Sequence, residues 1–141
     1  MRVQDVMTVA PITVSPTTSV REARDTIWTE RIRHLLRVDD DRLVGVVTDG
    51  DIRLNAASPA GSLSVWELNY LLDRLTVSQI MTPRPVTITP VQDIAMAERL
   101  MVRHRIGCLP VVAAWQFVGI VTEADLVTVI AQLGDLAPLT L

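Results

Sequence analysis

The sequence predicts a mixed α+β (α/β) protein built from two β-α-β-β-α repeats packed about a pseudo-twofold axis. Three observations predict it. A constant offset of 74 residues lays one half of the chain on the other without a gap, so that DVMTVAPITVSP (5 to 16) returns as QIMTPRPVTITP (79 to 90) and Met7 meets Met81. Within each copy, short apolar runs alternate with stretches of helical period. Each copy also closes on the same pattern, LVGVVTDGDI (43 to 52) in the first and FVGIVTEADL (117 to 126) in the second. About 16 of roughly 52 paired positions are identical, and a chance match would not hold one register for so long. The chain is an internal duplication.

The elements follow in order. Ile12 to Val14 and Val86 to Ile88 are brief apolar runs flanked by prolines, as short strands are. A helix comes next in each copy. In the first, Ser19 takes the capping position above Val20, Ala23 and Ile27. In the second, Asp93 caps a stretch in which Ile94, Ala97 and Met101, with Met96 and Leu100, recur at helical spacing. Paired apolar strands follow, Leu35 to Val38 with Leu43 to Val47, and Leu109 to Val112 with Phe117 to Val121. A terminal helix opens after Thr48 and again after Thr122. The boundaries are 1–57 for the first repeat, 58–76 for a linker, 77–131 for the second repeat and 132–141 for a tail. In the linker, Pro59 and Gly61 form a loop. Ser64 then caps a helix carrying Val65, Leu68, Leu71, Leu72 and Leu75, which covers apolar surface. A half of about 50 residues buries too little surface to stand alone, so the repeats should pack face to face and leave two related clefts.

Composition narrows the functional classes. Hydrophobic residues make up 49% of the 141 and charged residues 21%, which excludes a disordered chain. A mean hydropathy of +0.33 points to apolar surface reserved for a partner or a second copy, or to a well-filled core. A formal charge of −3 argues against nucleic-acid binding, which requires a basic stripe. No apolar run reaches the roughly 18 residues that span a bilayer, and the amino terminus has no leader-like segment, so no membrane partner is expected. The lone Cys108 forms no internal disulfide, which suits a reducing cytoplasm. One cysteine and two histidines make no zinc or haem site. With neither a nucleophile–base set nor a phosphate-binding Walker loop, no catalytic residue is assigned and the chain is not expected to be an enzyme.

The closing motifs carry the chemistry. Each sets a threonine at a strand end and an aspartate three residues on, Thr48 with Asp51 and Thr122 with Asp125. One reading is a capping box that satisfies the first turn of a helix. The other uses the same geometry for a ligand: N–H groups at a helix start attract phosphate, and the aspartate accepts hydrogen bonds from a ribose diol. Gly45 and Gly119, three residues before each threonine, favour the second, because capping alone does not call for them.

Over residues 1 to 131 the chain resembles a tandem pair of CBS domains, a Bateman module. The resemblance rests on Val6-Met7-Thr8 and Ile80-Met81-Thr82, on the Pro-x-Thr strands at Thr13 and Thr87, and on both closing motifs in order. With its linker VWELNYLL the chain is similar to stand-alone bacterial proteins of the acetoin-utilisation type. The resemblance implies the CBS-pair fold and a regulatory, non-catalytic role. It implies an adenosyl ligand (AMP, ADP, ATP or S-adenosylmethionine), no required cofactor, homodimerisation and a regulated protein partner. The first site would comprise Thr48 and Asp51, Arg33 and His34 near the phosphate, and Thr87, Ile106 and Gly107. The second would comprise Thr122, Asp125, Thr13, Ile32 and Cys108. The basic pair Arg33-His34 is replaced by Gly107-Cys108 in the second copy, so the sites are expected to be unequal, the first suited to a charged nucleotide. A ligand-free scaffold that dimerises and holds a partner is the alternative.

Other residues have two readings each. His34 is a phosphate contact or an imidazole at the surface, and Arg53 reaches either solvent or a phosphate. His104 ends a helix as a dipole partner. Cys108 reads as a small core residue rather than a nucleophile. Trp66 and Tyr70 read as packing residues. The apolar turn Ala113-Ala114-Trp115-Gln116 replaces the acidic Asp39-Asp40-Asp41-Arg42; it forms a contact surface or folds back on the core.

Overall fold

The structure, a computed structural model, describes residues 1–9, 11–15, 17–40, 42–56 and 64–136, apart from the side chains of 56, 135 and 136. The loop expected at Pro59 and Gly61 and the hairpin-tip residue Asp41 lie outside them. In chain order the elements are α1 (Val3–Val6), β1 (Thr8–Val9), β2 (Thr13–Val14), α2 (Val20–Glu30), β3 (His34–Asp39), β4 (Arg42–Thr48), α3 (Asp49–Ala56), α4 (Val65–Arg74), α5 (Val77–Ile80), β5 (Thr82–Pro83), α6 (Ile94–His104), β6 (Cys108–Ala113), β7 (Gln116–Thr122) and α7 (Glu123–Leu136). They form two compact units. The first unit is Ile12–Pro85; the second joins Met1–Pro11 to Val86–Leu141.

In the first unit the sheet order is β2-β3-β4-β5. The strand β2 runs parallel to β3, while β3 with β4 and β4 with β5 are antiparallel. One face of this sheet sends Leu35 and Val47 into a core completed by Val20, Ala23 and Ile27 of α2, Leu72 of α4, and Val77 and Ile80 of α5. The 20, 23, 27 spacing gives α2 a single apolar stripe, which is why it lies flat on the sheet. Ser19 caps it by accepting the Glu22 N–H at 3.1 Å, and Arg31 ends it in the left-handed conformation, φ 54°. The linker helix α4 is capped by Ser64, which accepts the Glu67 N–H at 3.2 Å. Leu72 is buried, with Leu68 and Leu75 packed beside it. Trp66 and Tyr70 were expected to pack, but they are 85% and 59% exposed. They sit two residues out of phase with Leu68 and Leu72, so helical geometry turns them to the opposite face.

The second unit repeats the plan. Its sheet order is β1-β7-β6, and Ile88 bridges Val111 in parallel, taking the place that β2 holds in the first unit. Of the expected strand Val86 to Ile88 only this bridge forms; Pro85 and Pro90 flank it and cannot donate to a ladder. The core gathers Val3, Ile88, Ala97, Met101, Leu109, Val111 and Val121. Both hairpins carry a bulge at the equivalent place, Arg37/Val38 and Val111/Val112. The helix α7 continues to Leu136, into the segment read as a tail.

The compact units are not the sequence repeats. Each takes the opening segment of the other copy. Val20 N–H donates to the Leu75 carbonyl and Val77 N–H to the Thr18 carbonyl, at 2.8 and 2.9 Å, and this ties α5 to the first unit. In the second unit Val3 N–H donates to Gln92 at 2.8 Å and Ile94 N–H to Met1 at 3.2 Å. A helix of four residues does not hold itself together in water. The short α1 and α5 persist because Val3 and Val77 are fully buried in these cores.

Candidate functional site

Both closing motifs fold into the same device. Thr48 N–H donates to Asp51 Oδ2 at 3.0 Å, and Asp51 N–H donates to Thr48 Oγ1 at 3.0 Å. The second copy matches it, with Thr122 N–H to Asp125 Oδ2 at 2.8 Å and Asp125 N–H to Thr122 Oγ1 at 3.3 Å. The capping function is therefore present in each. It engages one oxygen of each half-buried carboxylate, and a carboxylate has capacity for further donors on the other.

The two glycines have a different origin from the one their spacing suggested. A Cβ on Gly45 would lie 3.1 Å from Met81 Cγ and from the Thr82 carbonyl oxygen, and would overlap Met81 Sδ. At Gly119 it would lie 2.7 Å from the Thr8 carbonyl oxygen and 3.1 Å from Met7 Sδ. These glycines admit the exchanged Met-Thr segments against the strand. Packing of β1 and β5 explains them, with no need of a ligand.

A pocket of about 320 Å³ opens in the first unit at the start of α3, lined by Arg33, His34, Thr48, Asp49, Gly50 and Arg53. The β3–β4 register sets His34 opposite Thr48. Asp49 N–H donates to the Arg33 carbonyl at 3.0 Å, which holds the turn before β3 against the helix start. Arg53, one turn along α3, pairs with Asp49 at 3.0 Å and is 79% exposed. So Arg53 both faces water and reaches the pocket wall. Thr48, Arg33 and His34 come together as expected. Asp51 is hydrogen-bonded to Thr48 but is not itself in the wall. Asp49 and Gly50 were not singled out from the sequence, although the Asp49/Arg53 spacing of four residues on a helix is the signal of an ion pair.

The second unit repeats these backbone contacts with different residues at the equivalent positions. Cys108 lies opposite Thr122, and Glu123 N–H donates to the Gly107 carbonyl at 3.0 Å. Where the first unit has Arg33, His34 and Arg53, this one has Gly107, Cys108 and Val127. Cys108 is a free, buried cysteine whose thiol is pushed up to about 12, by burial first and by the Glu123 carboxylate second. Such a thiol stays protonated at neutral pH, as a core residue does, and is no nucleophile.

Of the remaining assigned residues, Thr13 and Ile32 lie in the first unit, Thr87 and Ile106 in the second. Both threonines are exposed, and both isoleucines are half-buried against the cores of their own units. His104 is the last residue of α6 and exposed. Trp115 is 93% exposed, so its turn does not fold back. Among the described residues no group of His, Cys, Asp or Glu is placed to hold a metal ion, and no helix is long and apolar enough to cross a membrane.

The CBS domain family matches the chain twice, over residues 3–57 and 77–132. CBS domain-containing protein YhcV of Bacillus subtilis is 30% identical over 124 residues, covering 88% of this chain and 81% of that protein. Some other curated relatives are longer enzymes. The chain spans 20% of a homoserine O-acetyltransferase of Methanocorpusculum labreanum and 21% of an inosine-5'-monophosphate dehydrogenase of Korarchaeum cryptofilum. Among solved structures, the acetoin utilization protein AcuB of Vibrio cholerae superimposes with a TM-score of 0.79 at 30% identity, covering 96% of this chain and 94% of that one. CBSX2 in complex with AMP gives 0.77 at 30%, covering 94% and 98%. The CBS domain pair of protein MJ0100, in complex with 5'-methylthioadenosine and S-adenosyl-L-methionine, gives 0.78 at 27%, covering 94% and 97%.

Proposed function

Because the chain belongs to the CBS domain family and carries the domain twice, we propose that it is a non-catalytic sensor of an adenosyl ligand, which it passes on as a conformational change to a protein partner. The observation that carries this reading is the pocket at the start of α3, where Arg33, His34 and Arg53 gather beside Thr48. Guanidinium groups at a helix start suit a phosphate, since the fixed fork donates to its oxygens and the first-turn N–H groups add to the field. Asp51, with one oxygen on the Thr48 N–H, keeps the other for a ribose hydroxyl. AMP bound to CBSX2, and the two adenosyl thioether and sulfonium compounds bound to MJ0100, support that ligand class. The second unit has no such cations, and a nucleoside or a less anionic adenosyl compound suits it better. Ligand binding shifts the protein only by the difference in affinity between its states, so the effector output depends on one state gripping the nucleotide more tightly.

A homodimer in the cytoplasm is part of the same proposal. On α7, Val127, Ile130 and Leu133 recur every three residues, and each is more than half exposed. This is the apolar surface that the hydropathy anticipated, and burying it against a second copy gives it a physical reason. The test is a thermal-shift panel of AMP, ADP, ATP, S-adenosylmethionine and NAD. Ligand at about 100 times its dissociation constant stabilises by about 2.7 kcal/mol, several degrees for a domain of this size. A gain lost in Asp51→Ala or Asp125→Ala supports the assignment. If no compound moves the melting temperature, the reading falls and a ligand-free scaffold takes its place.

A further inference from the structure

A second concavity, of about 330 Å³, adjoins the pocket in the first unit. It is lined by Ile27, Trp28, Arg31 and Ile32, and it shares Arg33, Asp49 and Arg53 with the pocket. Those three residues line both spaces, so the two adjoin along them. Trp28 is 62% exposed. Three guanidinium groups face one carboxylate here. Of these three arginines only Arg53 has an ion-pair partner among the described residues, Asp49 at 3.0 Å, while Arg31 and Arg33 have none. The three exposed guanidinium groups give the groove a local positive field on a chain of formal charge −3, which attracts a diffusing anion. The groove is only partly repeated in the second unit, where Arg105 ends α6 as Arg31 ends α2, in the same left-handed conformation. In the second repeat Val102, Gly107 and Val127 stand at the positions of Trp28, Arg33 and Arg53.

We propose that this groove is a polyphosphate subsite. The proposal rests on the nucleotide reading of the pocket and extends it. With the adenosine and first phosphate at Thr48 and His34, the second and third phosphates pass between Arg33 and Arg53 and end against Arg31. The first unit then selects a nucleoside triphosphate over a monophosphate, and Asp49, which holds Arg53 across the shared wall, competes with the incoming phosphates.

The test is calorimetric titration of the full chain with AMP, ATP and inorganic tripolyphosphate in magnesium-free buffer at low salt, where screening is weak. The variants are Arg31→Asn, which tolerates the left-handed backbone of that position, and Arg31→Lys, which keeps the charge. Unchanged melting curves certify their folds. ATP is expected to bind the native protein about tenfold more tightly than AMP, the worth of one charge-assisted contact. In Arg31→Asn that ratio should fall to within about twofold at unchanged AMP affinity, and Arg31→Lys should restore much of it. If AMP binds and the ratio is unity in the native protein, or survives Arg31→Asn, the subsite is overturned and the nucleotide pocket stands. If AMP fails to bind while tripolyphosphate binds and depends on Arg31, the groove stands as an anion site and the nucleotide reading falls. If none of the three binds, both fall.

Discussion

The two glycines of the closing motifs offer a sharp comparison, because the same substitution meets different atoms in the two units. In Gly119→Ala the new methyl sits 2.7 Å from the Thr8 carbonyl oxygen, a backbone atom fixed by the β1–β7 pairing. That strand must move, and such overpacking costs about 1 to 3 kcal/mol. Against this, alanine is the better strand residue by roughly 0.5 to 1 kcal/mol. The net loss is about 1 to 2 kcal/mol, or about 3 to 8 °C in melting temperature for a chain of this length. In Gly45→Ala the severe overlap is with Met81 Sδ, the flexible end of an unbranched side chain that re-rotates at low cost. The remaining contact, 3.1 Å to the Thr82 carbonyl oxygen, is tight but tolerable, so the net effect is within about 1 kcal/mol of zero. Thermal and urea melts of the two variants decide it. A double-mutant cycle adds a control: Met81→Ala should couple to Gly45→Ala by about 0.5 kcal/mol or more, relieving the overlap. Met7→Ala should not rescue Gly119→Ala, because the carbonyl remains. If Gly119→Ala melts with the native protein, or Gly45→Ala is the more damaged, the close-approach explanation is wrong.

Three further outcomes follow from the geometry. Asp51→Ala leaves the Thr48 N–H without its acceptor and should cost about 1 kcal/mol in melts without ligand, while Asp51→Asn, which keeps an acceptor, should cost less. The raised Cys108 thiol favours the protonated form in the folded state, so its contribution is fully present below the ordinary thiol value of 9.0 and is lost as pH climbs toward about 12. Between pH 8 and 10 the native protein should lose on the order of 1 kcal/mol more than Cys108→Ala does, and the thiol should resist iodoacetamide until the chain is denatured. At the β6–β7 tip, Ala114 and Trp115 both hold positive φ, 50° and 68°, the conformation for which Asn-Gly is the favoured pair. Replacing them by Asn-Gly should raise stability by about 1 kcal/mol or more, read by urea midpoint, and an unchanged midpoint would mean that the backbone is not strained there.

The fold was legible because its signals are local and doubled. Ser19, Asp93 and Ser64 each cap the helix assigned to them, and the paired strands fall where the apolar runs lie. What the sequence hid depends on partners far along the chain. Four residues have no period to read in VQDV or VSQI, and the one local mark of a helix is the capping-box spacing of Thr76 and Gln79. Their stability comes from Val3 and Val77 entering the core of the other copy's unit. The glycines were misread for the same reason. Their neighbours, Met7 with Thr8 and Met81 with Thr82, belong to the segments that change units, and spacing within the motif says nothing of them. At the site, Thr48, Arg33 and His34 were readable because strand register brings a strand end and the preceding turn together. The groove was not, because Trp28 and Arg31 close α2 while Arg53 lies on α3, and only packing joins them.

The duplication separates what the backbone requires from what the ligand requires. Both copies keep the reciprocal Thr–Asp hydrogen bonds and the tie from the helix start to the turn before the first hairpin strand, Asp49 to Arg33 and Glu123 to Gly107. A device present in both units at nearly the same distances answers to the fold, and the capping function suffices to explain it. None of these backbone and Thr–Asp hydrogen bonds uses the side chains that differ. Arg33, His34 and Arg53 give way to Gly107, Cys108 and Val127 without altering strand register. Charged groups placed by a common frame, in one copy only, add nothing that the frame needs. Their placement around a cavity is what the proposed ligand site accounts for. On the proposed function the lining sets the difference between the units, and Arg33→Gly combined with Arg53→Val should remove anion binding from the first unit while leaving it folded.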